Sequence, residues 1–319
     1  MLRRALGALV LLFLVVSATF LVLHALPGDP VGLLLDHRVP ESARAELRAR
    51  WGLDQPLLVQ YGRWLGSVLR GDWGRSFVHR RPAAEVVLAA LPHTLLLGCA
   101  ALLVQLAVSV PLGVRAARRP GGAFDQTVRV LSLVLYSVPT FWLGLVALLL
   151  FAYRWGWFPA GHARAAGGTG GALETLRHLA LPALVLGLSS SGPLLRLVRG
   201  GLLEALAAEH LRAARARGLA ERRVVWLHGL RAAAGPLLQM LGLTLPALLG
   251  GALVVEVVFS WPGLGRVTWQ AMASRDVALV LACTAWSAGL VVAGGLLADL
   301  LAALADPRQR EELAEAAGG

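Results

Sequence analysis

The sequence predicts an all-α membrane protein with six transmembrane helices and both termini in the cytoplasm. Three observations lead there. Of 319 residues, 57% are apolar and only 15% charged, with a mean hydropathy of +0.66, well outside soluble usage. Six apolar runs reach the roughly 20 residues that a helix needs to cross about 30 Å of hydrocarbon at about 1.5 Å per residue. Arginine is spread unevenly over the segments that join those runs.

The spans fall at about 5–25, 94–115, 130–153, 178–198, 236–258 and 277–304. Residues 5–23, 94–114, 130–153 and 277–298 carry no formal charge. The first run follows Arg3 and Arg4 as a signal peptide would. Its apolar stretch exceeds a typical h-region and no small-x-small site follows, so it reads as a retained anchor. The fourth run is interrupted by Pro182, Gly187, Gly192 and Pro193, and the fifth carries Glu256 near one end.

Orientation follows from the short loops, because long ones cross whatever their charge. Segments on the side of the N-terminus hold 16 arginines, eight of them from Arg196 to Arg231. The two short loops opposite hold five: Arg154, Arg164, Arg177, Arg266 and Arg275. Both termini and the loop 199–235 are therefore expected in the cytoplasm, and the long loop 27–93 outside. In that outer loop, "PESARAELRARWG" and "PLLVQYGRWLGSVLRG" have the stops and spacing of short amphipathic helices. Leu57, Leu58, Tyr61, Trp64, Leu65 and Val68 share one face, suited to a small core, the membrane interface or an external partner. The glycine-rich stretch 161–171 reads as a linker, and no internal repeat survives comparison.

Within the spans, the polar residues nearest each centre are Gln105, Ser137, Thr140, Ser189, Ser190, Ser191, Thr244, Thr284 and Ser287, all uncharged. Five spans thus bring hydroxyl or amide groups to one depth, as a passage for a polar solute would. Hydrogen bonding between packed helices, at about 0.6 kcal/mol each, is the other reading. The serine triplet between Gly187 and Pro193 is the foremost lining candidate, because a helix weakened on both sides opens backbone groups to a cavity.

Composition also narrows the chemistry. The basic balance, +11 with no lysine anywhere, is scattered among apolar runs and fits a lipid surface rather than nucleic acid. Without lysine there is no Walker A loop, so any ATP hydrolysis belongs to another chain. Cys99 and Cys283 lie in apolar runs, and no metal-ligand spacing occurs, so no metal site is expected. The histidines, such as His24, His93 and His178, cluster at span ends, away from any intramembrane nucleophile. The absence of midplane carboxylates argues against an ion-coupled carrier, although carbonyls and hydroxyls alone can hold sodium. Nothing points to an enzyme.

One stretch is out of keeping with the rest. "HLRAARARGLAERRVV", residues 210–225, holds five arginines. Each would cost about 2.5–3.5 kcal/mol at a membrane centre, so they must face water, headgroups or protein. Residues 201–218 have helix-forming composition, and Gly218 supplies a stop. A helix lying on the membrane surface would explain the composition.

The residues also carry a resemblance. "EHLRAARARGLAERRVV" resembles the cytoplasmic E-Y-x-R-T-A-R-A-K-G-L loop of the permease subunits of peptide-type ABC importers, the dipeptide, oligopeptide and nickel group. It is joined in order by "LPGDP", "WGLDQPLLVQYGRWL", "GDWGRS", "LPHTL", "SVPTFWLG", "VVEVVFSWPGLGR" and "DPRQR", so the resemblance covers essentially the whole chain. Departures are His210 for tyrosine, Ala213 for threonine, Arg217 for lysine and Gly235 for leucine. The resemblance implies a single permease domain of the type I ABC importer fold in a bacterial or archaeal cytoplasmic membrane. It implies a second related permease, two ATP-binding subunits that hold ATP and Mg, and an extracytoplasmic solute-binding protein. This chain itself would carry no cofactor.

The same resemblance makes Glu209, Arg212, Ala213, Ala214, Arg215, Arg217 and Gly218 a coupling helix for an ATPase, with the two alanines as small close-contact residues. Glu256, Trp261, Pro262 and Gly263 resemble the family's extracytoplasmic motif, which suggests an outer gate or a receptor contact; an interfacial anchor with a tight turn is the plainer reading. The rival function is an ion-coupled carrier or solute channel that works without an ATPase.

Overall fold

A computed structural model describes residues 2–25, 54–163, 171–233 and 252–305, with single positions at 40, 42, 46, 49, 237, 240, 244 and 248. The described residues are helical apart from turns and one isolated antiparallel bridge between Arg75 and Pro82.

The apolar runs explain the longest helices. α1 spans Leu2–Ala25, α3 Ala83–Ala117 and α10 Val277–Ala305, and each contains a stretch long and apolar enough to cross a membrane. α2, Leu57–Leu69, is the short amphipathic helix expected from its spacing. α3 begins 11 residues before the expected span at 94 and runs for 35 residues. At about 1.5 Å per residue it is longer than the hydrocarbon is thick.

Two of the expected spans are bent pairs. The run 130–153 does not form one straight helix: α4, Ala123–Ser137, and α5, Thr140–Ala147 with a π-helical continuation to Arg154, meet at 99°. Val138 is extended, at ψ 125°, because the proline that follows disfavours helical geometry. The fourth run is α6, Ala172–Ser189, and α7, Ser191–Ala207, bent by 52°. Among the described residues there are three candidate spans, or five if each bent pair crosses once. The expected span 236–258 lies largely outside the described residues, of which 252–258 are helical.

α3 is the centre of the packing, and α6 and α7 lie along it. Gly187 permits the close approach: a Cβ there would stand 2.6 Å from the Ala101 carbonyl oxygen. The largest buried cluster joins Leu97 of α3, Leu179 and Leu186 of α6, and Phe259 and Trp261 beyond the fifth run. A second joins α3 to α10 through Val87, Leu279 and Cys283, whereas Cys99 is exposed. α4 is tied to α7 by an ion pair in which the Arg199 guanidinium grips the fully buried Asp125 carboxylate through both Nε and Nη2.

Candidate functional site

The arginine-rich segment is not one helix over 201–218. Ala208 is extended, at ψ 144°, and separates α7 from α8, Glu209–Ala216. Glu209 in the first turn and Arg215 in the last suit the helix dipole. Gly218, at φ +79°, ends it in a Schellman motif: its N–H donates to the Arg215 carbonyl at 2.9 Å, and the Leu219 N–H to that of Ala214 at 3.3 Å. Beneath α8, Leu211 and Ala214 form a buried cluster with Ala205 and Val224.

Arg215 holds this short helix in place. Its Nε and Nη2 donate to the two carboxylate oxygens of Glu221, both at 3.1 Å, and its Nη1 donates to the Leu206 carbonyl at 3.3 Å. The guanidinium keeps the Glu221 carboxyl below the usual glutamate range, chiefly by that hydrogen bonding. Glu209, His210, Arg212, Ala213, Arg217 and Gly218 are exposed. The two alanines expected as contact residues therefore part company. Ala213 faces outward, whereas Ala214 is 4% exposed and shares the inward stripe with Leu211 three residues earlier.

At the bend between α6 and α7, two side chains of α3 reach across to the broken backbone. Gln105 donates from Nε2 to the Ser190 carbonyl at 2.8 Å, and Ser109, one turn further along, donates to the Ser191 carbonyl at 3.0 Å. The Gln105 side-chain oxygen is buried and has no partner among the described residues. The Ser189 and Ser191 hydroxyls bond back to Leu186 and Leu188 at 3.0 and 2.7 Å. Ser191 is fully buried, and Ser189 and Ser190 are half-buried. Of the other polar candidates, Ser137 and Thr140 flank the 99° bend, and Thr244 is buried and bonded to the Met240 carbonyl at 2.8 Å. Thr284 and Ser287 lie half-buried on α10.

The third group lies at the other end of α3. Thr94 donates its hydroxyl to Glu256 Oε1 at 2.6 Å and accepts the Leu264 N–H at 2.7 Å. The other oxygen of Glu256, Oε2, accepts the Arg266 N–H at 3.0 Å. The carboxylate thus fills the N-terminus of α9, Leu264–Ala273, where unpaired N–H groups favour negative charge. Gly263 is required here, because a Cβ would collide with the Glu256 carboxyl group. Trp261 is fully buried and donates its indole N–H to the His93 carbonyl at 2.9 Å. A second buried carboxylate, Asp276, accepts the Ser76 hydroxyl at 2.6 Å and caps the start of α10 through the Leu279 N–H at 3.2 Å.

The motifs "LPHTL", "GDWGRS" and "VVEVVFSWPGLGR" are thereby brought into one assembly. Sequence reading did not single out Thr94, Ser109, Ser76 or Asp276. Asp276 carried a signal, an aspartate just before an apolar run at the preferred N-cap position. Thr94 lay within the motif "LPHTL" with no role attached and Ser109 carried no signal, since their partners lie 162 and 82 residues away. Among the described residues no group of three or more His, Cys, Asp or Glu could hold a metal.

Two family descriptions match the chain: "Binding-protein-dependent transport system inner membrane component" over residues 109–311, and the N-terminal part of the same class of membrane component over residues 1–98. The chain belongs to this family. The permease is 37% identical to the oligopeptide transport system permease protein AppB of Bacillus subtilis (strain 168), over 96% of this chain and 97% of that protein. It is 36% identical to the di/tripeptide transport system permease protein DppB of Pseudomonas aeruginosa (strain UCBPP-PA14), over 97% and 98%. A chain of the inward-facing MetNI methionine ABC transporter has a similar fold, with a TM-score of 0.53 and 18% identity, covering 70% of this chain and 97% of that one. The protein is a multi-pass membrane permease component and not the ATPase of its system.

Proposed function

We propose that this permease, with a second related permease, forms the translocation pathway of an ATP-driven importer for peptides or similar small polar solutes in a bacterial cytoplasmic membrane. The named oligopeptide and di/tripeptide relatives support the solute class. In this reading six spans cross the membrane, both termini and residues 199–235 are cytoplasmic, and residues 27–93 face outward to meet a solute-binding protein. Two ATP-binding subunits carry ATP and Mg. A carrier or channel that works without an ATPase is not favoured by membership of a binding-protein-dependent family.

The observation that carries the reading is α8, a helix closed at its C-terminus and anchored beneath, with charged and small residues facing out. Glu209, Arg212, Ala213, Arg217 and Gly218 meet the ATPase, while Ala214 and Arg215 seat the helix on its own chain. Gln105, Ser189 and Ser190 at the α6–α7 bend, with Ser137, Thr140, Thr244, Thr284 and Ser287, supply the polar depth of the pathway, and Ser191 supports the bend. Glu256, Trp261, Pro262 and Gly263 brace the outer gate from within.

The test is association with the ATPase and solute-stimulated ATP hydrolysis in matched reconstituted complexes. Arg212→Glu and Ala213→Trp should each weaken both, by about 1–3 kcal/mol of interface energy, and leave the permease itself folded. Wild-type association in both variants would remove α8 from the interface.

A further inference from the structure

We infer that the outward face of the helix over Glu221–Ala232 is a docking surface for the headgroups of anionic phospholipids. This helix follows α8 and is π-helical from Val224 to Gly229. Val224, Val225 and Gly229 are buried against the rest of the chain. Trp226 and Leu227 point the other way, 44% and 54% exposed. Arg222 and Arg223 stand one turn before that apolar pair and Arg231 one turn after it, all three exposed.

Packing fixes the level of this face. Val225 is buried in one cluster with Val114, Val198 and Leu202, and Val114 and Val198 close the second and fourth apolar runs, each followed at once by an arginine. Further along, Gly229 sits on the Leu202 side chain, which a Cβ there would meet at 2.7 Å. Leu202 lies at most about 6 Å beyond Val198, at about 1.5 Å per residue of α7. The interfacial layer on each side of the hydrocarbon is about 5–8 Å deep, so Trp226 and Leu227, in the same turn as Val225, stand at headgroup level. The helix is kept there at its other end by Pro236, where the fifth apolar run begins.

The chemistry of the face suits that layer. An indole prefers the interface, and arginine stems lie along apolar surface while their guanidinium groups reach phosphates. No carboxylate among the described residues pairs with Arg222, Arg223 or Arg231, and Glu221, the one acidic residue of the helix, is held by Arg215. Three unpaired cations around an apolar tip complement a headgroup of net negative charge, whereas a zwitterionic one offsets its own phosphate. A soluble subunit would have to pass through the headgroups to reach Trp226. α8 stands clear of them, since α7 ends at Ala207, up to about 13 Å beyond Val198. That the leaflet is the cytoplasmic one rests on the orientation proposed above; the level and the charge of the face do not.

The test uses the full-length permease, with whatever subunits copurify, in nanodiscs. A Leu227→Cys variant carries a bimane fluorophore, in a background where the exposed Cys99 is replaced by alanine. Phosphatidylglycerol or phosphatidylcholine with a spin label near the ester end of one chain is the quencher. Half-maximal quenching should need at least about five-fold less phosphatidylglycerol than phosphatidylcholine, the effect of one arginine at an anionic surface. Adding Arg222→Gln, Arg223→Gln and Arg231→Gln together should abolish that preference. A spin label near the methyl end of the chain should quench less than one near the ester end. No quenching by either lipid, no preference for phosphatidylglycerol, or a preference that survives loss of the three arginines would overturn the surface. So would stronger quenching from the methyl end, or disulfide capture of Leu227→Cys by a cysteine scanned through a copurifying subunit, since hydrocarbon or protein would then cover the face. Failure of α8 to bind an ATPase would leave these outcomes unaffected.

Discussion

Thr94 gives its hydroxyl proton to Glu256 at 2.6 Å while its oxygen receives the Leu264 N–H at 2.7 Å, so one side chain of α3 joins a buried carboxylate to the first turn of α9. The helix preceding the Trp-Pro-Gly turn, the helix following it and α3 are held together by groups that would otherwise be unpaired.

Removing that carboxylate should therefore be structural in effect. Glu256→Ala leaves the Thr94 hydroxyl and the Arg266 N–H without their partner, at a cost of about 2–3 kcal/mol. Thermal unfolding of the detergent-solubilised permease should show it, and Gly263→Ala should resemble it by driving the carboxylate out. An unfolding temperature equal to wild type in Glu256→Ala would mean that the bonds contribute nothing.

The Asp125–Arg199 pair should behave asymmetrically. Arg199→Ala strands a fully buried carboxylate and should cost about 3–5 kcal/mol. The double replacement Asp125→Asn with Arg199→Met removes both charges and should recover most of that loss. If the double variant is as unstable as Arg199→Ala, the pair does more than neutralise itself. Unfolding midpoints of the three proteins decide the matter.

Arg215 and Glu221 give α8 a pH dependence. The folded-state Glu221 carboxyl titrates below its ordinary value. Its stabilising contribution is complete above the unfolded value of about 4.3 and is lost as pH falls through the lower folded value. Both side chains are at least a third exposed, so the pair contributes at most about 1 kcal/mol. Pepsin, which works in this acid range, should cut the 209–223 segment faster as pH falls through this window. Glu221→Gln should be cut faster from the start and show no further acid effect.

Gln105 separates a passage from simple helix adhesion. Gln105→Leu removes one bond to Ser190, about 0.6 kcal/mol, and also removes a buried oxygen that has no partner among the described residues. Stability should change by less than about 1 kcal/mol. Solute uptake should nevertheless fall in reconstituted vesicles if the amide faces the pathway. Unchanged uptake would leave Gln105 as a brace for the bend.

The uninterrupted apolar runs behind α1, α3 and α10 were legible because crossing hydrocarbon imposes a length and a composition. The bend at Val138–Pro139 was not, because membrane helices tolerate proline and the outcome depends on neighbours. Here the arm before the bend, α4, is seated close against α7 at Gly192, whose Cβ would stand 2.6 Å from the Ser132 carbonyl oxygen. For α8, the motif identified the segment, but Ala213 and Ala214 are equivalent as letters. Only the Val224 cluster beneath the helix tells the inward alanine from the outward one. Glu256 was legible as a charge near the end of an apolar run. That backbone N–H groups and Thr94 consume it could not be read from residues so far apart in the chain.

Arg215 fastens α8 both to the carbonyl end of α7, at Leu206, and to the helix that follows, at Glu221. A helix moored on one side would swing when pushed; one moored on both would act as a crank. Under the coupling role proposed above, a push on its outward face would reach α7 as torque. Because α7 meets α6 at 52°, turning one arm about its own axis would sweep the other through an arc. The displacement at the far end of α6 would be sideways, with its reach set by the length of that arm rather than by the distance α8 itself travels.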